Sequence, residues 1–396
     1  MYKSLEVRPN IHWVGALDFD LRIFDIIMYT DYGTTYNSYV VTGSEKTALI
    51  EVVKEPFFDE FLERLKSVQG VSNIDYIVLN HTEPDHSGAV AKALEAFPGA
   101  KVVGSAMACK FMRNIINAEF DHIVAKDGDT LDLGGLTLEF ISAPSLHWPD
   151  TMYTYLPEAR TLFTCDSFGC HYADEAVFND KMDGDFTDAY KYYFDCIMGP
   201  FKSSVLDALN KIKGLEIETI CNGHGPVLRR DIERYIKMYE EWATIAVPDR
   251  TSVVVAYVSA YGYTAKMAEK IAEGVRDAGG IDVHVFDLVY ADQTDVMRHI
   301  ESAKGLLIGT PTLVGDTLPQ IWNLLTSLNP IIHKGKLAGV FGSYGWSGEG
   351  IKSVKQRLDQ LRFKQPVDSL GVVFNPSGEQ LDQCFEYGKA FGRAVL

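Results

Sequence analysis

Two hydrophobic patterns succeed one another along the chain. From Ile11 to Val53 the runs Ile26-Ile27-Met28-Tyr29, Ser38-Tyr39-Val40-Val41 and Thr47-Ala48-Leu49-Ile50 are separated by turns containing Gly and Asp, which predicts consecutive antiparallel strands. The segment 56–65 carries apolar residues at helical spacing, and Asp75-Tyr76-Ile77-Val78-Leu79-Asn80 is a short apolar run of the kind that forms a buried strand. Three more partly β-branched runs, 136–141, 161–165 and 217–221, predict strands, while 187–198, 202–212 and 230–245 predict helices. Pro248-Asp249-Arg250 interrupts this pattern. Beyond it, apolar runs at 252–258, 282–286, 305–309, 337–341 and 370–374 alternate with helical stretches, as in a doubly wound parallel sheet. A first domain over 1–249 and a second over 250–396 are therefore expected, with no internal repeat or low-complexity tract.

The first domain carries a dense set of metal-capable side chains. His81-Thr82-Glu83-Pro84-Asp85-His86 directly follows the 75–80 strand and precedes 87–95, a helix for which Ser87 is the expected N-cap. His147, Asp166 and His224 each come soon after one of the runs 136–141, 161–165 and 217–221. Loops at one sheet edge would then gather seven nitrogen and oxygen donors, too many for one ion with an open position, so two ions are expected. His81 and Glu83, two residues apart, can face one ion and Asp85 with His86 the other. His147 and His224 would complete the respective sets, with the two oxygens of Asp166 as the bridge. Such a mixed set suits iron, manganese or zinc.

In the second domain, Ser259-Ala260-Tyr261-Gly262-Tyr263-Thr264 follows the first strand, and a helix is expected from about Ala265. Hydroxyls and N–H groups at a helix N-terminus cradle a phosphate without a basic residue. Thr310-Pro311-Thr312-Leu313-Val314-Gly315 follows the third strand and Gly342-Ser343-Tyr344-Gly345-Trp346-Ser347-Gly348 the fourth, placed to flank a planar ring at the switch point of the sheet. The G-x-G-x-x-G fingerprint is absent, which favours a mononucleotide over NAD. Trp346 or Tyr344 could cover the ring.

Composition narrows the class. The 396 residues are 46% hydrophobic and 23% charged, as in an ordinary globular enzyme. A net charge of -17 argues against a nucleic-acid partner. No stretch is apolar for long enough to span a bilayer and no signal peptide is evident, so a cytoplasmic protein without a membrane partner is expected. The six cysteines show no C-x-x-C spacing, which suits a reducing compartment.

A metal-binding sheet domain followed by a flavodoxin-like domain resembles the flavodiiron proteins, also called A-type flavoproteins, across essentially the whole chain. His81-x-Glu83-x-Asp85-His86, His147, Asp166 and His224 match that family's diiron ligands residue by residue. The resemblance implies an α/β fold, a metallo-β-lactamase-like αββα sandwich followed by a flavodoxin-like sheet. Hydrolase relatives carry His where this chain has Glu83, a change toward hard oxygen that favours iron over zinc. The resemblance further implies two iron ions, FMN, reduction of dioxygen to water or nitric oxide to nitrous oxide, and a head-to-tail homodimer or a dimer of such dimers. Many members have a histidine where this chain has Asp25, after Phe24, so substrate preference does not carry over. His171 and Tyr193 are candidates for proton delivery. No cysteine-rich rubredoxin module follows, which implies a separate donor, rubredoxin or a reduced deazaflavin coenzyme. Two other readings fit the residues: a binuclear metal hydrolase fused to a flavin domain, and an FMN electron carrier with a structural metal site.

Overall fold

A computed structural model describes residues 2–26, 28–244 and 249–396. The chain forms two compact units, Met1–Ile245 and Ala246–Leu396. Pro248, where the sequence pattern breaks, lies outside the described residues.

The first unit is built on two sheets. One runs in the spatial order Leu5–Arg8, Ile11–Trp13, Tyr39–Thr42, Thr47–Ile50, Tyr76–Leu79, Lys101–Gly104 and His122–Val124, antiparallel through its first four strands and parallel after them. The other runs Thr130–Asp132, Thr137–Ser142, Met152–Leu156, Thr161–Cys165 and Thr219–Asn222, with only the last pair parallel. Strand periodicity distributes the side chains between two cores. Tyr39, Val41, Ile50, Val78, Phe163 and Cys221 point into one core shared by both sheets. Val40, Leu49, Ile77, Leu79, Leu162 and Ile220 point to the opposite faces, where Phe61, Met112, Tyr190 and Tyr239 from the covering helices meet them. Each fully buried aromatic or aliphatic side chain of this kind contributes about 1.5–3 kcal/mol.

Several sequence expectations shift here. The run at 26–29 shortens to Met28–Tyr29, which pairs antiparallel with Ile23–Phe24 in a two-stranded sheet apart from the two large ones; Ile26 has a φ of 68°, and Ile27 lies outside the described residues. Ser87 caps no helix. Pro84, whose missing N–H suits the first helical position, starts a turn over Pro84–Ser87, and the next helix, Val90–Ala96, begins after Ala89. Helix Thr187–Tyr193 passes into a wider π turn at Phe194–Met198, and the last helix of the unit is Ile232–Ala243; Ile245 lies outside the described residues.

The second unit is a five-stranded parallel sheet in the order Ile281–Asp287, Thr251–Tyr257, Gly305–Gly309, Leu337–Tyr344 and Leu370–Val373. Helices cover both of its faces, so both sides of each central strand are apolar: Val253 and Val255 face the helices Tyr263–Asp277 and Gly378–Val395, while Val254 and Ala256 face Gln293–Ser302, Pro319–Ser327 and Glu349–Gln360. Strand order reverses between the first and third strands, which opens a crevice at their C-terminal ends. Among the described residues no helix is long and apolar enough to cross a membrane.

Candidate functional site

The seven donors of the first unit converge, but from two sheets and not from one sheet edge as the sequence suggests. His81, Glu83, Asp85 and His86 leave the end of strand Tyr76–Leu79 in the larger sheet, whereas His147, Asp166 and His224 follow strands of the smaller one. Cys165, in left-handed conformation at φ 49°, turns the chain sharply at the strand end just before Asp166. The donors fall into two sets. His81 Nε2 lies 3.3 Å from Glu83 Oε2 and 3.4 Å from Asp166 Oδ2; His147 Nε2 lies 2.8 Å and 3.3 Å from the same two oxygens. His86 Nε2 lies 3.3 Å from Asp85 Oδ2 and 3.0 Å from Asp166 Oδ1; His224 Nε2 lies 2.9 Å and 3.5 Å from them. Asp166 thus turns one oxygen to each set.

This arrangement fits metal ions. Donors each about 2.0–2.2 Å from one ion stand about 3–3.5 Å from one another, close to the histidine–carboxylate spacings of both sets. Asp85 is buried, and neither of its oxygens accepts a hydrogen bond among the described residues. The electrostatics call for cations as well. Burial works against ionising His81 and His147, but the carboxylates overrule it: Asp150 and Glu83 hold His81 well above its ordinary value, and Asp166 with Glu83 pushes His147 up to about 9. Burial likewise opposes ionisation of Asp166, yet His86, His147 and His81 hold it well below the usual carboxylate range.

The surroundings contain residues that sequence reasoning did and did not single out. Tyr193 donates to Asp166 Oδ1 at 3.0 Å. His171 pairs through Nδ1 with Thr34 Oγ1 at 2.9 Å, and its buried Nε2 has no partner among the described residues; burial, then the adjacent His224, holds this imidazole neutral. Asp25 is pushed up to about 6 by partial burial and by the neighbouring Glu83 carboxylate. A cavity of about 350 Å³ reaches Asp25, Glu83 and Asp85, and another of about 550 Å³ reaches His171 and Tyr193. Asp150 and Glu51 were missed. Asp150 accepts from His81 and Thr82, and buried Glu51 accepts the Asn80 N–H at 2.8 Å just before the loop. Asp150 stands three residues after His147, the one sequence clue to its place; Glu51 left no clue beyond being a charge in an apolar run.

In the second unit the three loops surround one cavity, lined by Ala260, Tyr261, Tyr263, Pro311, Thr312, Leu313, Ser343, Tyr344, Gly345 and Phe374. Phe374, missed in the sequence, follows the fifth strand. The helix begins at Tyr263, earlier than expected, after Gly262 at φ 80°. Ser259 Oγ accepts the Ala265 N–H, while no N–H from 259 to 262 bonds another backbone group among the described residues. Thr264 and Ser343 are buried and bonded to each other at 2.9 Å, and Thr310 is buried against Thr317; Thr264 and Thr310 hold the loops without lining the cavity. Val314 and Gly315 form the tip of the second loop with positive φ, Ser347 bonds Glu349, and Gly348 at φ 68° precedes the helix Glu349–Gln360. Trp346 is 90% exposed, Val314 98% and Tyr261 79%, so the rim of this crevice is apolar surface that the unit leaves uncovered, which fits a flat aromatic ligand.

Comparison with known proteins agrees with both halves. The profile of the ODP family beta lactamase matches residues 34–225 and that of flavodoxin residues 255–388. The chain is 42% identical to the type A flavoprotein of Rhodobacter capsulatus over 98% of this chain and 90% of that one. It is 36% identical to the nitric oxide reductase of Moorella thermoacetica over 100% of each. Among solved structures it is similar to rubredoxin oxygen:oxidoreductase from Desulfovibrio gigas, with a TM-score of 0.68 and 30% identity over 99% of this chain and 98% of that one. A beta-lactamase-type unit with two donor sets sharing one aspartate, joined to a flavodoxin unit and matched end to end by type A flavoproteins, makes this chain a member of the flavodiiron family.

Proposed function

We propose that the chain is an oxidoreductase that reduces dioxygen to water, nitric oxide to nitrous oxide, or both, at two iron ions in a unit over 1–249, with electrons relayed through FMN in a unit over 250–396. The observation that carries this reading is Asp166, whose Oδ2 stands beside His81 and His147 and whose Oδ1 stands beside His86 and His224. The carboxylate of Glu83 favours iron over zinc in the first set. The names of the Moorella and Desulfovibrio relatives support the two gases as substrates.

When bound, the iron pair would supply electrons to the small-molecule substrate, and FMN would supply electrons to the pair. The chain's own groups do the rest. Reducing either gas consumes protons; the Tyr193 hydroxyl holds one 3.0 Å from Asp166 Oδ1, and neutral His171 presents a bare nitrogen beside His224. The free N–H groups at 259–262 and the N-terminus of the helix Tyr263–Asp277 bind the FMN phosphate, while the loops 310–315 and 343–348 flank the ring. A separate donor, rubredoxin or a reduced deazaflavin coenzyme, feeds the flavin, and a head-to-tail homodimer brings the flavin of one copy to the iron of the other.

Anaerobic stopped-flow mixing of the reduced protein with each gas tests the proposal. Flavin and iron reoxidation far faster than for free FMN is expected. Reoxidation no faster than free flavin would leave an electron carrier, and two zinc ions with no iron after native purification would leave a hydrolase.

A further inference from the structure

The four imidazoles of the centre are not held alike. His81 Nδ1 lies 3.3 Å from Asp150 Oδ2, and the same oxygen accepts the Thr82 N–H at 2.8 Å and the Thr82 hydroxyl at 2.7 Å. His224 instead donates through Nδ1 to a neutral carbonyl, Thr35 O, at 2.6 Å. His86 Nδ1 is buried without a partner among the described residues. Among the described residues no carboxylate pairs with the far nitrogen of His86, His147 or His224, and no lysine or arginine pairs with Asp150. The Asp150 side chain is fully buried, so its charge acts on His81 with little screening.

A carboxylate behind a ligating imidazole has two effects. It keeps the proton on the far nitrogen, leaving the near one bare for the metal, and it makes the imidazole a stronger electron donor, which stabilises the more highly charged ion. A carbonyl provides the first effect with little of the second.

Resting on the diiron reading, we propose that Asp150 is a positioning residue that makes the two metal positions unequal: it commits His81 to the tautomer with a bare Nε2 and gives the position at His81, Glu83 and His147 the tighter ion and the lower reduction potential. Its reach is wider than one ring. By holding Thr82, between His81 and Glu83, Asp150 ties the metal loop to the turn that carries His147 three residues earlier, so one buried carboxylate braces all three donors that belong to this position alone. The position at Asp85, His86 and His224 has no such brace and is the one that releases its ion first.

The test is anaerobic release of iron from the full-length, FMN-containing protein to a ferrous chelator, with electron paramagnetic resonance of the half-reduced protein alongside. Wild type should release two equal waves, one for each iron. Asp150→Asn keeps the shape and an oxygen for Thr82 but not the charge; it should speed the slow wave roughly 10- to 100-fold, merge it with the fast one, and move one iron couple to more positive potential. Asp150→Glu should restore two waves. Thermal unfolding of the iron-free chain and FMN content identify a variant that fails to fold, for which Asp150→Ser, small and uncharged, is the substitute. A single wave in wild type would overturn the inference, and so would an uncharged variant that keeps both waves and both potentials. Wild type that takes up no pair of irons would overturn the diiron reading along with it.

Discussion

Asp166 gives one oxygen to each donor set, whereas Glu83 belongs to one. Asp166→Asn is therefore expected to remove both irons and cut gas reduction by at least roughly 100-fold, and Glu83→Gln to loosen one iron by roughly 10-fold. Iron analysis and steady-state rates check this; an Asp166→Asn protein with two irons and full activity would remove the bridging role. Titration gives a second residue-scale prediction, in the second unit. Cys384 is fully buried, and burial pushes its thiol up to about 11. Because the folded value lies above the unfolded value of about 8.5, the stabilisation from keeping this thiol neutral is complete below pH 8.5 and is lost as the pH rises through 11. Alkylation at pH 8 should accordingly spare Cys384 in the native protein and modify it in denaturant, as read by peptide mass spectrometry. Native alkylation as fast as that of a free thiol would contradict its burial.

At the scale of elements, the helices Tyr263–Asp277 and Gly378–Val395 cross where side chains are missing. A Cβ on Gly274 would stand 2.0 Å from Phe385 O, and one on Gly388 2.0 Å from Ile271 O, so the two backbones touch only because both positions are glycine. Gly388→Ala should force them apart and destabilise the second unit by about 1–3 kcal/mol, seen as earlier loss of FMN on heating. Unchanged melting would mean that the helices can part freely. Trp346→Ala should weaken FMN retention at unchanged iron content, since Trp346 stands exposed on the flavin-side rim; lost iron would show the two units to be coupled. The second unit was the more legible from sequence because its central strands are buried on both faces and appear as continuous apolar runs. In the first unit, Lys101–Gly104 and Met152–Leu156 are short and mixed in character, and no local pattern marks them out. The metal ligands were legible as residues, because chemistry concentrates them at strand ends. Their division between two sheets was not, since it depends on pairings between distant segments. Asp150, Glu51 and Phe374 act only through such long-range neighbours, so spacing along the chain gives no measure of their roles.

At the scale of the whole molecule, the proposed relay makes activity depend on a flavin and a metal centre built from separate stretches of chain, and electron transfer requires them to be close. If the head-to-tail homodimer is the working unit, each junction takes its iron from one copy and its FMN from the other, and two-fold symmetry creates two junctions per dimer. One variant that cannot hold iron, His86→Ala with His224→Ala, and another that cannot hold FMN, Thr264→Ala with Trp346→Ala, should each be inactive alone. After dissociation and random reassociation, half of the dimers would be mixed, each with one complete junction and one that lacks both groups. Activity per chain should then return to about a quarter of wild type, provided each junction works independently. The measurement is gas consumption with a saturating donor, with mixed dimers quantified through two different affinity tags. Mixed dimers without recovered activity would place electron transfer inside one chain.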